Sequence, residues 1–363
     1  MNHREACIAL NMVPRMGPVR LRRLLEAFGS AERILAARPG QLVQVEGVGD
    51  ALAENISRWE QFGDPAAEMR KAADLGAHII TGEDDEYPPA LREIHDPPIV
   101  LYVRGQITER DRNAVAVVGS RRTSHYAGEC AKKLSFQMAY AGLTIVSGLA
   151  RGIDTHAHSG ALAAKGRTIA VIGSGLARLY PPENATLADR IASSGAVVSE
   201  FPIDTQADRQ TFPIRNRIVT GCSFGVLVVE AGANSGALIS ANQAAEQGRT
   251  LYAVPGRIDH PGCLGSNRLI QQGAKLVIAV EDILDDLPLV FSKQPQLEPS
   301  MPPVELTPEQ RKIYDAIGPD EASLDAVIAT SGLTAAAVSS TLLALEIRRL
   351  VKQLPGKRFV KLV

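Results

Sequence analysis

Short apolar runs alternate with Ala-rich amphipathic stretches through the middle of the chain. Between residues 113 and 287 the apolar runs are AVAVVGS, TIVSG, TIAVIGSG, AVVSE, GVLVVEAG, TLYAVPG and AKLVIAV. Continuous β-branched strands separated by helices indicate a parallel sheet that is covered on both faces. The pattern therefore predicts an α/β domain, an extended Rossmann-like doubly wound sheet, whose ligand lies beyond the carboxyl ends of the strands.

The first 75 residues carry a different pattern, that of short amphipathic helices. The segment VEGVGDAL places Gly47 and Gly49 at the start of a helix, as in a SAM-like helix-hairpin-helix module, and RMGPVRLRRLL is a weaker second copy. Backbone N–H groups at such a turn can hold a DNA phosphate. The alternative is a helical module that only packs or contacts protein.

Three further segments complete the chain. Residues 76–112 are predicted to be a Pro-punctuated connector with a strand at each end, and residues 288–305 a Pro-rich linker. Residues 306–363 contain three helical segments and a hairpin, which is the layout of a winged helix. Its predicted recognition helix, TAAAVSSTLLALEI, has no basic residue. The basic side chains lie in the wing region instead: Arg348, Arg349, Lys352, Lys357, Arg358 and Lys361.

Composition restricts the partners. The 363 residues suggest two or three domains, and the 4% aromatic content predicts an aliphatic core. The net charge of -1 means that any polyanion site must be a local patch. The four cysteines form no Cys-x-x-Cys pair, which argues against a zinc site and a disulfide scaffold and favours a reducing cytoplasm. Apolar runs have strand length, so no membrane insertion is expected.

Small residues and arginines follow several of the predicted strands. Gly119, Ser120 and Arg121 follow the first strand of the central domain, Ser174 follows the third, and Ser235 with Gly236 opens a later helix. Such loops can form a row of phosphate-binding sites, although each one alone could simply be a tight turn. The GxGxxG pattern is missing, so no dinucleotide cofactor is predicted.

The segment TFPIRNR combines a ring, Phe212, with two guanidinium groups, Arg215 and Arg217. An aromatic ring stacks on unpaired bases and arginines follow the phosphate backbone, so this segment predicts a site for single-stranded nucleic acid. The alternative places Phe212 in the core and pairs the arginines internally with Glu200 or Glu230.

Candidate catalytic or metal-binding groups are few. The segment GIDTHAHSG contains Asp154, His156 and His158, but a spacing of two along a helix start does not converge three ligands. We expect a helix N-cap at Asp154 and packed histidines. The sequence lacks a Ser/His/Asp arrangement, a P-loop and HExxH, so no catalytic residue, metal or cofactor is predicted. Glu230 could still serve as a general acid or base in a nucleotide hydrolase.

Five long motifs resemble the DprA (Smf) DNA-processing proteins, in the same order. They are VAVVGSRRTSHYAGE, IVSGLARGIDTHAH, IAVIGSGLARLYPPEN, the stretch from SEFPIDTQADRQ to ANQAAEQGR, and YAVPGRIDHPGCLGSNRLIQQGAKLV. The resemblance implies that Arg121, Phe212 and the basic Arg209 contact single-stranded DNA. It also implies homodimer pairing through the segment that contains Leu269, Ile270 and Leu276.

The resemblance further implies a function without catalysis: protecting single-stranded DNA and loading a RecA-type recombinase during DNA uptake and natural transformation. Two alternatives stay open at this point. One is a phosphoribohydrolase-type nucleotide-processing enzyme, although EAGANSGALIS replaces the PGGxGTxxE motif of that class. The other is a winged-helix regulator with a Rossmann sensor domain, which basic residues on the recognition helix would have supported.

Overall fold

The structure, a computed structural model, describes residues 1–286, 306–318, 321–347, 350–354 and 356–362. These residues form two compact units, one within residues 1–286 and the other from residue 306 onward. The predicted linker at 288–305 and two predicted wing residues, Arg348 and Arg349, lie outside the described residues.

The first unit begins with helices and continues as alternating strands and helices. The N-terminal helices are α1 (His3–Met12), α2 (Pro18–Phe28), α3 (Ala31–Ala36), α4 (Pro39–Leu42), α5 (Asp50–Ser57) and α6 (Pro65–Asp74). The connector contains β1 (Ala77–Thr81), α7 (Pro89–Arg92) and β2 (Val100–Gly105). The central region contains β3 (Ala114–Val118), α8 (His125–Tyr140), β4 (Thr144–Ser147), α9 (Ile153–Ala163), β5 (Thr168–Val171), α10 (Ala185–Ser194), β6 (Ala196–Ser199), α11 (Thr211–Gly221), β7 (Gly225–Val228), α12 (Ala237–Glu246), β8 (Thr250–Ala253), α13 (Leu264–Gln271), β9 (Lys275–Leu276) and α14 (Glu281–Leu284).

All nine strands of this unit form one sheet in the order β1-β2-β6-β5-β4-β3-β7-β8-β9. Strands β3 to β9 run parallel, whereas β2 pairs antiparallel with β6, and β1 with β2. The predicted doubly wound parallel sheet is confirmed, and the two connector strands extend it. The chain reverses its direction of sheet growth between β3 and β7, which is where ligands of doubly wound sheets bind.

Burial on both faces of the sheet explains the continuous apolar strands. All five residues of β3 are buried. Ala114, Ala116 and Val118 pack in one hydrophobic cluster, while Val115 and Val117 pack in another. Successive side chains of a strand point to opposite faces, so both faces need apolar residues.

The N-terminal helices share a core with part of this sheet, since Ile8 and Leu24 belong to the same hydrophobic cluster as Tyr102 and Val197. Gly47 lies in the turn before α5 with φ +85°, a conformation that favours glycine. Gly49 is the N-cap of α5 and is exposed. The helix-hairpin-helix turn is therefore formed, but Asp50 at the first helical position places a negative charge beside it.

The second unit is a winged helix with a three-stranded sheet. It contains α15 (Pro308–Ala316), β10 (Ala322–Ser323), α16 (Leu324–Ser331), α17 (Ala335–Ile347), β11 (Val351–Leu354) and β12 (Arg358–Lys361), with the strands in the order β10-β12-β11. Ser323 is the N-cap of α16, because its hydroxyl accepts a hydrogen bond from the N–H of Ala326.

Among the described residues, no single helix is long and apolar enough to cross a membrane. The pair Leu324–Ser331 and Ala335–Glu346 passes that criterion only in combination, across a bend of 111°.

Candidate nucleic-acid interface

Exposed arginines follow the carboxyl ends of neighbouring parallel strands. The loops after β3, β4, β5 and β6 contribute Arg121 and Arg122, Arg151, Arg178 and Arg209 respectively. Parallel strands end at the same edge of a sheet, so these guanidinium groups share that edge. Arg151 forms an ion pair with Glu183. The chain thus has a local cationic edge despite its net charge of -1.

Phe212 lies on this edge, in the first turn of α11, and is half-buried. The guanidinium carbon of Arg121 lies 4.8 Å from the centre of the Phe212 ring. The ring of Tyr180 lies beside the Phe212 ring, with the two centroids 5.9 Å apart and the ring planes tilted by 48°. The structure therefore brings together Arg121 and Phe212, which are far apart in the sequence, and adds a second exposed ring.

A glycine after β5 lets the Phe212 ring approach the loop. A Cβ at Gly173 would lie 3.0 Å from Cδ1 of Phe212. The neighbouring Thr211 hydroxyl donates a hydrogen bond of 2.5 Å to the Gly173 carbonyl, which fixes the start of α11 against this loop. Ser174, by contrast, is buried beneath the surface, and its carbonyl accepts a hydrogen bond from the Ser199 hydroxyl at 2.7 Å.

Arg215 is buried directly below this surface. Its Nη1 donates to the Val171 carbonyl at 2.8 Å, and a Cβ at Gly148 would lie only 1.6 Å from Nη1. Glycine at position 148 is therefore needed to admit the guanidinium group. Desolvation lowers the pKa of Arg215 to about 10, with the nearby Asp154 opposing that effect. Arg215 stays charged at neutral pH, in the wall of the shallow cleft that Arg121 and Phe212 also line.

Arg217 lies on the inner side of α11 and forms internal ion pairs. Its guanidinium contacts Glu200 at 2.6 Å and Asp96 at 3.1 Å, and its side chain is 5% exposed. The sequence left open that the arginines of this segment form internal ion pairs, and this holds for Arg217, which pairs with Glu200. A buried pair of this kind fixes α11 to the sheet, and its loss would leave an uncompensated buried charge.

The predicted helix N-cap at Asp154 is wrong. Gly152 is the N-cap of α9, and Asp154 lies inside the first turn. The Asp154 carboxylate instead accepts N–H hydrogen bonds from Gly148 at 3.1 Å and Ala150 at 3.2 Å, in the loop that precedes the helix. The sequence could not show this because the loop bends back over the helix start. The packed-histidine prediction holds for His158, which is buried and lies 2.7 Å from the Thr168 hydroxyl.

The remaining predicted loop residues differ in accessibility. The N–H of Ser120 is already donated to the Glu230 carbonyl at 2.8 Å, and Gly119 packs tightly against Ile153. Gly236 is the N-cap of α12 and is exposed, with half-buried Ser235 before it. Arg209 is exposed just before α11. Arg121 and Arg209 are thus the predicted cations that solvent or a ligand can reach.

Two further residues of the edge, Tyr180 and Arg151, were not predicted as site residues. Both line the cleft with Arg121 and Phe212. Tyr180 is 41% exposed on a strand-end loop, in a chain with 4% aromatic residues. A tyrosine in a strand-end loop, in a chain with so few aromatic residues, was the signal in the sequence that could have identified it.

The segment predicted to pair two copies lies at the lateral edge of the sheet that β9 forms. Strand β9 is an edge strand of the sheet, with Leu276 43% exposed. Ile278 beside it is 78% exposed. Leu269 is buried in the core of its own chain, and Ile270 is half-buried. Leu276 and Ile278 are therefore the apolar side chains that this edge presents.

Comparison with known proteins identifies the class. Residues 78–288 match the family model of DNA recombination-mediator protein A, residues 297–357 match the DprA winged helix domain, and residues 8–58 match a SAM-like helix-hairpin-helix tandem. These matches place the chain among the DNA-binding, DNA-processing proteins. The chain belongs to the DNA recombination-mediator protein A family, also called DprA or Smf.

Individual relatives support this assignment. The chain is 36% identical to Protein Smf of Synechocystis over 97% of both chains. It resembles the X-ray structure of Streptococcus pneumoniae DprA, with a TM-score of 0.70 and 35% identity over 79% of this chain and 99% of that one. It also resembles Helicobacter pylori DNA processing protein A, whose structure was described for its single-stranded DNA binding mode, with a TM-score of 0.52 and 30% identity over 57% and 94%. These names describe DNA processing and, for one relative, single-stranded DNA binding.

Proposed function

We propose that the chain binds single-stranded DNA, without catalysis, along the carboxyl edge of its sheet. The observation that carries this proposal is the Arg121 guanidinium lying over the Phe212 ring among exposed arginines. An unpaired base replaces Arg121 on the ring face, and Arg121 moves to the adjacent phosphate. Stacking on a ring needs an unpaired base, so the site selects single strands over duplexes.

Other residues have supporting roles. Arg209 follows the phosphate backbone beside Phe212, while Arg215 adds a fixed positive charge beneath the cleft. Gly119, Ser120, Ser235 and Gly236 shape the flanking loops, and Gly47 with Gly49 offers a further backbone contact for DNA. The relative from Helicobacter pylori, described for single-strand binding, supports this use of the shared fold.

The cellular role is proposed on the family resemblance. Two copies pair through the β9 edge, where Leu276 and Ile278 are exposed. The paired chains protect incoming single strands and load a RecA-type recombinase during DNA uptake and recombination. A cytoplasmic location agrees with four unpaired cysteines. The divisions at residues 1–75, 76–112, 113–287, 288–305 and 306–363 are proposed as the working domain boundaries.

A titration with matched oligonucleotides tests the proposed function. Binding of oligo-dT and of a duplex of equal length is measured by fluorescence anisotropy at several salt concentrations. We expect tighter binding of oligo-dT and a linear fall of log affinity with log salt, because phosphate contacts release counterions. Equal affinity for duplex and single strand at every salt concentration would contradict the proposal.

A further inference from the structure

Three potential metal ligands converge outside the Arg121–Phe212 surface. Glu230 lies in the loop just after β7, separated from it by Val229, while His260 and Cys263 lie in the segment before α13. The carboxylate oxygen, imidazole nitrogen and thiol sulfur lie within 4.8 Å of one another. The sequence did not indicate this group, because Glu230 is distant along the chain from His260 and Cys263 and only the fold brings the three together.

The distances suit a tetrahedral ion. Zinc binds thiolate at about 2.3 Å and imidazole at about 2.0–2.1 Å, so tetrahedral geometry separates sulfur from nitrogen by about 3.6 Å. The Cys263 Sγ lies 3.7 Å from Nδ1 of His260. The Glu230 carboxylate oxygen lies within 4.8 Å of both of these atoms and completes the group of three. Nitrogen, sulfur and carboxylate donors together match zinc-class ions rather than magnesium or calcium.

The surroundings hold the ligands and keep the space between them open. The Glu230 carboxylate accepts hydrogen bonds from the Ser124 hydroxyl at 2.6 Å and from its N–H at 3.2 Å, as outer partners of metal-binding carboxylates do. A Cβ at Gly262 would lie 2.8 Å from Cε1 of His260 and 3.6 Å from Cδ of Glu230. A Cβ at Gly256 would lie 2.3 Å from the sulfur of Cys263. Glycine at both positions preserves the cluster.

The three ligands differ in burial, and the exposed one gives an ion access from solvent. Glu230 is 1% exposed and Cys263 6% exposed, while His260 lies at the surface. The cluster also lies at the reversal point between β3 and β7, where doubly wound sheets place their ligands. We propose that Glu230, His260 and Cys263 bind one divalent ion of the zinc class, with a fourth position open to solvent.

A bound ion links segments that are separate in the chain. It joins the end of β7 to the segment before α13, and through Ser124 it reaches the loop that also carries Arg121. Metal binding therefore stabilises the folded chain whether or not DNA is present. Zinc binding at this cluster does not depend on the proposed DNA binding.

The test uses the full chain, stripped with a chelator and then titrated with Zn²⁺ against a chromogenic chelator. We expect one Zn²⁺ per chain and a higher melting temperature with zinc. His260→Ala and Cys263→Ser should each weaken zinc binding by more than about 100-fold, since loss of an outer partner alone costs 10–100-fold. The control Cys130→Ser removes a half-buried thiol outside the cluster and should keep wild-type affinity.

Substitution with Co²⁺ identifies the ligands directly. A thiolate-to-metal absorption band and tetrahedral d–d bands should appear in the wild type and in Cys130→Ser, and the thiolate band should vanish in Cys263→Ser. His260 is exposed, so His260→Ala retains the fold and reports binding even if Cys263→Ser unfolds. A wild type that binds no zinc, or zinc binding of equal strength in the folded His260→Ala protein, would overturn the proposal.

Discussion

Replacing Phe212 with alanine tests the stacking surface at its centre. Base stacking on an aromatic side chain contributes about 1–3 kcal/mol per base. At about 1.4 kcal/mol per factor of ten, Phe212→Ala should weaken oligo-dT binding roughly 5- to 140-fold. The salt dependence should stay the same, because the ring contacts no phosphate. Phe212→Tyr or Trp should retain much of the affinity, since either ring can stack.

The effect of this change on stability separates a binding role from a core role. A fully buried phenylalanine costs about 3–5 kcal/mol of stability when it is replaced by alanine. Phe212 is half-buried, and its ring lies against the exposed side chains of Arg121 and Tyr180. We therefore expect the free energy of unfolding to fall by clearly less than that range. Denaturant unfolding measures it on the same preparation used for anisotropy.

Phe136 offers a matched control. It is also half-buried and lies beside a tyrosine ring, with its centroid 6.2 Å from that of Tyr140, but it belongs to the C-terminal part of α8, away from the strand-end loops. Phe136→Ala should leave oligo-dT affinity unchanged in the folded protein. The reasoning fails if Phe212→Ala strongly lowers stability while the folded fraction binds oligo-dT normally.

Three further predictions address charge, assembly and pH. Arg121→Ala should reduce the slope of log affinity against log salt by about 0.7, as for one lost single-strand phosphate contact. The control Arg190→Ala, at an exposed helix residue, should leave the slope unchanged, and equal slopes for both variants would remove Arg121 from the site. Leu276→Arg should produce a monomer with weaker DNA binding, because two linked sites on one strand gain avidity, and sedimentation of a monomeric wild type at micromolar concentration would count against pairing. Burial lowers the pKa of His158 from 6.5 to about 3, so below pH 6.5 the unfolded chain binds a proton that the folded chain excludes. The free energy of unfolding should therefore fall by up to about 1.4 kcal/mol per pH unit as the pH drops from about 6 to 4. Urea unfolding of His158→Gln should show a shallower fall, and parallel pH profiles of the two proteins would refute the assignment.

The pattern of hydrophobic and polar residues along the chain was enough to predict the main architecture. The strands of the central sheet could be predicted because each buries both faces and therefore lacks polar alternation, as β3 illustrates. The winged helix could be predicted because three helical segments precede a hairpin, which is the layout of that fold. The antiparallel attachment of β1 and β2 was not predictable, because it depends on which distant strand accepts β2.

The site was predictable only in part, for a similar reason. A ring and arginines beside a sheet edge identify Phe212 and Arg121, but their mutual contact depends on how two loops meet. Arg217 looked equivalent to the surface cations in the sequence. The Arg217 side chain points inward because it lies on the inner side of α11, where it pairs with the carboxylates of Glu200 and Asp96. Both partners belong to other segments of the chain.

A crystal structure of the chain with oligo-dT is the most direct test of the central claim. The account predicts an unpaired base against the Phe212 ring, with Arg121 displaced from the ring face and bound to the neighbouring phosphate. DNA bound on another surface, with Arg121 still lying over Phe212, would contradict it.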